Sequence, residues 1–206
     1  MKKTRNIIFD LCGPIIRIDL EMMNRRFHEL GVDVERPYQL LYSEGLTKKY
    51  EAGLMTTDDF CTQVRQTLHT SISDGLILDA WNTLVADFPS RHIGLMKKLK
   101  KGHRLFLLSN SDVTNADFFR KYLNREAGFD FVGDCFDEVF FSCDLHNRKP
   151  SPSVFQHILA KHTLQPDETL FVDDCRGHCE GAATTGIRTH WLLPGEDICD
   201  LPYWNE

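Results

Sequence analysis

Three apolar runs of this 206-residue chain end in polar side chains suited to phosphoryl chemistry. Asp10 follows Asn6-Ile7-Ile8-Phe9, Ser109-Asn110 follows Leu105-Phe106-Leu107-Leu108, and Asp173-Asp174 follows Leu170-Phe171-Val172. A fourth element, Lys149 within Arg148-Lys149-Pro150, precedes the helical stretch ahead of the last run. A carboxylate can attack phosphorus and carry the phosphoryl group as an aspartyl-phosphate. Attack of one anion on another needs charge neutralisation, which a carboxylate-bound magnesium ion supplies through hard oxygen ligands. Ser109 and the backbone amide after it, near an expected helix start, suit phosphoryl oxygens. Lys149 would balance the carboxylates and hold the transferring group. Taken singly, an Asp after a strand is a cap or turn former and Ser-Asn is ordinary turn chemistry. The ordered set, each member beside a strand or helix end, is what points to a reaction.

The elements that must position these side chains follow from periodicity. The three runs are short, apolar and rich in strand formers, as buried strands are; Val139-Phe140-Phe141 and, more weakly, Ile187 to Leu193 add two more. Helical patterns lie between them: Leu95 and Leu99 with trailing lysines and Gly102 as a stop, and Val154, Phe155, Ile158 and Leu159 after Pro150 and Pro152. Strands alternating with helices predict an α/β fold, a doubly wound parallel sheet covered on both faces. In such a sheet the residues just beyond the strands collect along one edge, where ligands bind.

The stretch 16–90 breaks the alternation. Leu20, Met23, Phe27 and Leu30 keep helical spacing behind a capping Asp19, and Thr56 with Asp59 forms a capping box ahead of Phe60, Val64 and Leu68. No strand signal of comparable strength falls there. The expected organisation is a core of 1–15 and 91–206 with a helical cap at 16–90 over the carboxyl edge.

The quoted motifs resemble those of the haloacid dehalogenase superfamily: Phe9-Asp10-Leu11-Cys12-Gly13, Leu108-Ser109-Asn110, Arg148-Lys149-Pro150 and Phe171-Val172-Asp173-Asp174. Tyr50 to Thr56 is similar to that superfamily's cap signature, and the bacterial phosphatases acting on glucose 1-phosphate and like sugars are the subfamily most resembled. The resemblance implies a Rossmann-like sheet in which the five runs lie in the order fifth, fourth, first, second, third, with a cap of four-helix type. It implies hydrolysis of a small phosphomonoester, with Asp10 as nucleophile and magnesium held by Asp10, the Cys12 carbonyl, Asp174 and the adjacent Asp173. Ser109, Asn110 and Lys149 would bind phosphate.

Cys12 departs from the pattern. Most phosphatases of the superfamily place there an aspartate that protonates the leaving oxygen and then activates water. A thiol with an ordinary pKa near 8.5 is a poor substitute. Three consequences are open: a substrate whose leaving group needs little protonation, an acid from the cap such as Asp19 or Glu51, or binding of a phosphometabolite with little turnover. A 2-haloacid dehalogenase is the rival enzyme, since those relatives also lack the second aspartate, although they do without magnesium.

The bulk composition is that of a soluble globular chain, 42% apolar and 26% charged. A net charge of −6 argues against nucleic acid or an anionic membrane as partner. The partner expected is a small phosphorylated metabolite, and the chain itself a monomer or weak homodimer. The apolar stretch before Asp10 is too short for a signal peptide, and seven scattered cysteines suit reduced thiols, so a cytoplasmic location is expected. Cys175, His178 and Cys179 could share a helical face as soft zinc ligands, but without a second pair they make a poor structural site.

Overall fold

A computed structural model describes residues 3–205. The chain enters through β1 (Asn6–Phe9), turns at Gly13 and forms the short β2 (Arg17–Ile18) before leaving the sheet. Five helices follow: α1 (Leu20–Glu29), α2 (Pro37–Ser43), α3 (Leu46–Glu51), α4 (Thr57–Thr67) and α5 (Asp74–Trp81). Then come β3 (Val85–Asp87), α6 (Ser90–Leu99), β4 (Arg104–Ser109), α7 (Val113–Ala127), α8 (Phe131–Cys135), β5 (Glu138–Phe141), α9 (Ser142–Leu145) and α10 (Pro152–His162). The chain closes with β6 (Thr169–Asp173), α11 (Arg176–Ala183) and β7 (Arg188–Trp191), followed by two short 3-10 turns.

The strands pair in the order β5-β4-β1-β6-β7, all parallel, which is the order expected from the resemblance. Alternation along each strand sorts the side chains onto two faces. Ile7, Phe9, Leu105, Leu107, Leu170 and Val172 join one apolar cluster, and Ile8, Phe106, Leu108 and Phe171 join the other. These strands read as continuous apolar runs because helices cover both faces. Each such side chain, wholly buried, contributes about 1.5–3 kcal/mol relative to exposure, so the strand ends are rigid mounts.

Register decides which strand ends meet. Phe9 lies level with Leu107 on one side and Val172 on the other. The next residue along, Asp10, donates its backbone N–H to the Val172 carbonyl at 2.9 Å. That sets it beside Asp173 without any contribution from the insertion.

The helices between 20 and 81 start where the sequence signals them. Asp19 accepts from the Glu21 amide, and Thr56 accepts from the Asp59 amide. There are five helices where a four-helix arrangement was expected, because Gly45, with φ of +76°, divides α2 from α3. Tyr50 stacks on Phe60 at 4.1 Å, and Phe60 meets the Trp81 ring edge-on at 4.8 Å, an aromatic group continuous with the apolar cluster on one face of the sheet.

One pairing escaped the sequence reading: β2 and β3 run antiparallel, and Asp19 N–H extends them to the Leu84 carbonyl at 2.9 Å. The two strands have two and three residues, too few for a period of two to register. They tie the entering and leaving chains of the insertion together. Among the described residues no helix is long and apolar enough to cross a membrane.

Candidate active site at the carboxyl edge of the sheet

Asp10, Lys149, Asp173 and Asp174 converge beyond β1 and β6. Lys149 is wholly buried, and its Nζ lies 2.7 Å from Asp10 Oδ1 and 2.8 Å from Asp173 Oδ2. Asp10 Oδ1 also accepts from the Leu11 amide at 2.8 Å, whereas Oδ2 makes no bond among the described residues. Asp173 is fully engaged: the Cys175 amide and His178 Nδ1 donate to Oδ1 at 2.7 and 3.1 Å, and Nδ1 is 3.0 Å from Oδ2. Asp174 is the more exposed acid, and its backbone carbonyl accepts from Trp191 Nε1 at 3.0 Å.

Electrostatics set these groups against one another. Burial pushes the Asp10 carboxyl up to about 8, against the pull of Lys149, and Asp173 and Asp174 add to the rise. Burial also opposes the Lys149 ammonium, but Asp10 and Asp173 more than offset it and hold its pKa above the usual lysine range. Asp173 stays below the ordinary value despite burial because Lys149 and His178 face it. Asp174 is raised, first by burial and then by Asp173. Three carboxylates with one lysine are short of positive charge.

The donor set fits a hard divalent cation. Asp10, Asp173 and Asp174 can each offer an oxygen within 4.8 Å of the others. Gly13 keeps the space open: a Cβ there would lie 2.4 Å from the Asp174 carboxylate, and its φ of +101° is one that side chains resist. Gly13→Ala is therefore expected to weaken cation binding about 10-fold or more, since such strain costs on the order of 1–3 kcal/mol. Calorimetric titration of the cation checks this; unchanged affinity would remove Gly13 from the site.

Ser109 and Asn110 sit at the end of β4, as the sequence led us to expect, and each has a partner within the protein. Ser109 is buried, with Oγ 2.8 Å from Ser111 Oγ. Asn110 clamps the backbone of Lys149, accepting its N–H at 2.9 Å and donating to its carbonyl at 3.0 Å. Its amide group thereby fixes where the lysine emerges. The helix start expected near Ser109 lies three residues on, at the capping Asp112. Helix α7 begins at Val113, and its first amides, of Thr114 and Asn115, are taken by Asp112 Oδ1 at 2.9 and 3.1 Å.

Cys12 faces a cavity of about 110 Å³ between the core and the insertion, which Met23, Tyr38, Glu51, Trp81 and Asn110 also line. Burial and then Asp10 push its thiol well above the ordinary value, so it has no acid to offer near neutrality. Of the insertion acids Asp19 and Glu51, the first caps α1, pairs with Arg25 and does not line this cavity. Glu51 lines it, and burial, only partly opposed by Arg148, raises its carboxyl to about 7.

The soft-ligand set Cys175, His178 and Cys179 does not form. Cys175 is exposed, His178 turns to Asp173, and Cys179 is buried with Sγ toward the carbonyls of Asp173 and His190 at 3.7 and 3.6 Å. His178 is instead a support for Asp173, with Asn110 Nδ2 donating toward its Nε2 at 3.5 Å. Sequence reasoning missed that support, although it spans only five positions, because the histidine was weighed as a zinc ligand; it also missed Ser111 and Ser142, whose contact across 31 positions leaves no local pattern.

A model of the haloacid dehalogenase-like hydrolase family matches residues 5–186. The D-ribitol-5-phosphate phosphatase of Bacteroides thetaiotaomicron is 27% identical over 196 residues, spanning 94% of both chains. The (S)-2-haloacid dehalogenase 4A of Burkholderia cepacia is 26% identical over 200 residues, covering 90% of this chain and 81% of that one. Among solved structures, a HAD family enzyme of B. thetaiotaomicron in complex with magnesium and inorganic phosphate superimposes with a TM-score of 0.85 at 30% identity, over 95% of this chain and 97% of that one.

Proposed function

We propose, since this chain belongs to the haloacid dehalogenase-like hydrolase family, that it hydrolyses a small sugar or polyol phosphate through an aspartyl-phosphate at Asp10. It is a phosphatase of that family, and magnesium is its cofactor. The observation that carries the reading is the cluster of Asp10, Asp173 and Asp174 around one ion's width, with Lys149 bonded into it.

Asp10, Asp174 and the Cys12 carbonyl would hold the ion, with Asp173 beside them. When bound, magnesium supplies the positive charge that lets a carboxylate approach a phosphate. Asp10 Oδ2, free of other bonds, attacks phosphorus, and Lys149 and Ser109 hold the phosphoryl oxygens. Asn110 and His178 keep Lys149 and Asp173 in place. Residues 16–90 act as the cap that excludes water and reads the organic part of the substrate. The similarity to a D-ribitol-5-phosphate phosphatase supports an open-chain polyol phosphate as well as the anomeric sugar phosphates suggested by Cys12.

Purified protein assayed against sugar and polyol phosphates, ribitol 5-phosphate and glucose 1-phosphate among them, tests this directly. Phosphate release that EDTA abolishes and magnesium restores is expected. Chloride release from 2-chloropropionate without metal, or phosphate binding without turnover, would contradict it.

Magnesium should also stabilise the fold, and more so at high pH. In the metal-free protein Asp10 retains its proton from the ordinary 3.8 up to about 8, where the unfolded chain has lost it. Its contribution to stability is present below the lower value and is lost as pH rises through the upper one. The ion competes with that proton. At 100 times its dissociation constant it adds about 2.7 kcal/mol, or roughly 5–10 °C in Tm for a domain of this size. Calorimetric scans at pH 5 and pH 8 should show the larger shift at pH 8; an equal or reversed shift counts against the carboxylate cluster as the binding site.

A further inference from the structure

We propose that Glu51, from the insertion, is the acid–base catalyst of this reaction, standing where Cys12 cannot serve. The inference rests on the phosphatase reading above and adds to it a residue for proton transfer.

An alcohol leaves phosphorus as an alkoxide unless a proton reaches it, and water must give up a proton to attack the phosphoryl-enzyme. The cavity that Cys12 lines, two residues from the nucleophile, has four ionisable side chains on its walls: Cys12, Tyr38, Glu51 and Asp112. Asp112 is committed to structure, its Oδ1 taken by two α7 amides and its Oδ2 by Trp81 Nε1 at 2.8 Å and Asn115 Nδ2 at 3.1 Å. Cys12 is a thiol and Tyr38 a phenol, both far weaker acids than a carboxyl. Glu51 is the one carboxyl that remains.

Its setting is that of a held but incompletely bonded group. The backbone is anchored to the core, because Ser142 Oγ donates to the Glu51 carbonyl at 2.6 Å. Two residues on, Gly53 takes φ of +63° and lies so close to α9 that a Cβ would be 2.4 Å from the Cys143 carbonyl. The carboxylate Oε2 is 2.7 Å from Arg148 Nη2, yet the pair is off the line of a hydrogen bond. Both Oε2 and Arg148 Nε are buried without a hydrogen-bond partner among the described residues. Buried polar atoms of this kind are rare in a finished structure, and a substrate hydroxyl would complete the set.

In the first half-reaction a bond forms between Asp10 Oδ2 and phosphorus, the bond from phosphorus to the leaving oxygen breaks, and the proton of neutral Glu51 passes to that oxygen. In the second, water attacks phosphorus, Glu51 takes the proton it sheds, and the bond to Asp10 breaks to release phosphate. The acid is then restored.

Glu51→Gln, compared with wild type on an alkyl and an aryl phosphate in magnesium, tests the assignment. Expected is a fall in kcat/KM of ~10²–10⁴-fold on ribitol 5-phosphate. On p-nitrophenyl phosphate, whose leaving group needs no proton, kcat/KM should be nearly unchanged while the phosphoenzyme accumulates. If Glu51→Gln is not recovered folded, Glu51→Asp, which keeps the charge facing Arg148, should show the same selectivity at about 10-fold. Equal losses of kcat/KM on both substrates would make Glu51 a structural tie between insertion and core, and no loss of kcat/KM on either would exclude it; both overturn the proposal. If wild type forms no phosphoenzyme at all, the phosphatase reading itself falls and takes Glu51's role with it.

Discussion

Asp10→Asn should remove turnover, on the order of 10⁴-fold or more, while leaving the fold intact. The amide nearly matches the carboxyl in shape but cannot attack phosphorus. Folding should tolerate it because burial already pushes this carboxyl toward its neutral form, and Lys149 keeps Asp173 at 2.8 Å as a counter-charge. At pH 8 in EDTA the variant should be at least as stable as wild type, since it no longer faces the cost of ionising a buried acid. Steady-state assays, chemical trapping of the phosphoenzyme and thermal scans together check this. Residual activity above about one hundredth of wild type would place the nucleophile elsewhere, because losing a true nucleophile costs far more than that.

Lys149→Met should damage both stability and catalysis. The ammonium is wholly buried between two carboxylates, and deleting it leaves Asp10 without its neighbouring cation and Asp173 with His178 alone. Breaking one side of such a buried set typically costs 3–5 kcal/mol, and losing a donor aimed at transferring charge costs a further ~10²–10³-fold in rate. Met is the informative replacement because it keeps an apolar stem near the Phe171 ring, 5.5 Å from the lost ammonium. Magnesium should recover part of the stability, by pairing with the abandoned carboxylates, but not the activity. Urea unfolding with and without the ion measures this, and a loss below about 1 kcal/mol in EDTA would show that Lys149 is not the electrostatic keystone of the site. Lys149→Arg is not expected to rescue, since the wider guanidinium fork has no room in a fully buried slot.

The two variants bear on residues that were legible for different reasons. Asp10 and Asp173 declared themselves because each ends a run of buried apolar residues, and the polar residue that ends such a run in a parallel sheet lies at its functional edge. Lys149 was legible only as a member of an ordered set; its motif lies in a loop between α9 and α10, where nothing local announces burial. Asn110 was found, but a second task went unread. As a strand-end polar residue it suits phosphate, and its side chain also holds the Lys149 backbone, a contact across 39 positions. The helix start expected near Ser109 lies at Asp112, a strong capping residue whose side chain takes the first amides of α7.

By itself the sequence determined the alternation of buried strands and amphipathic helices, hence the doubly wound sheet, and the identity of the side chains that end each strand. Those are consequences of local periodicity and of which residues tolerate burial. Only the tertiary structure decided the rest: that Lys149 lies between Asp10 and Asp173, that Gly13 makes room for Asp174, and that Glu51 and Cys12 share one cavity. Such pairings depend on register and on how the insertion seats against the core, and both are set by the summed packing of distant residues rather than by any stretch of chain that could be read alone.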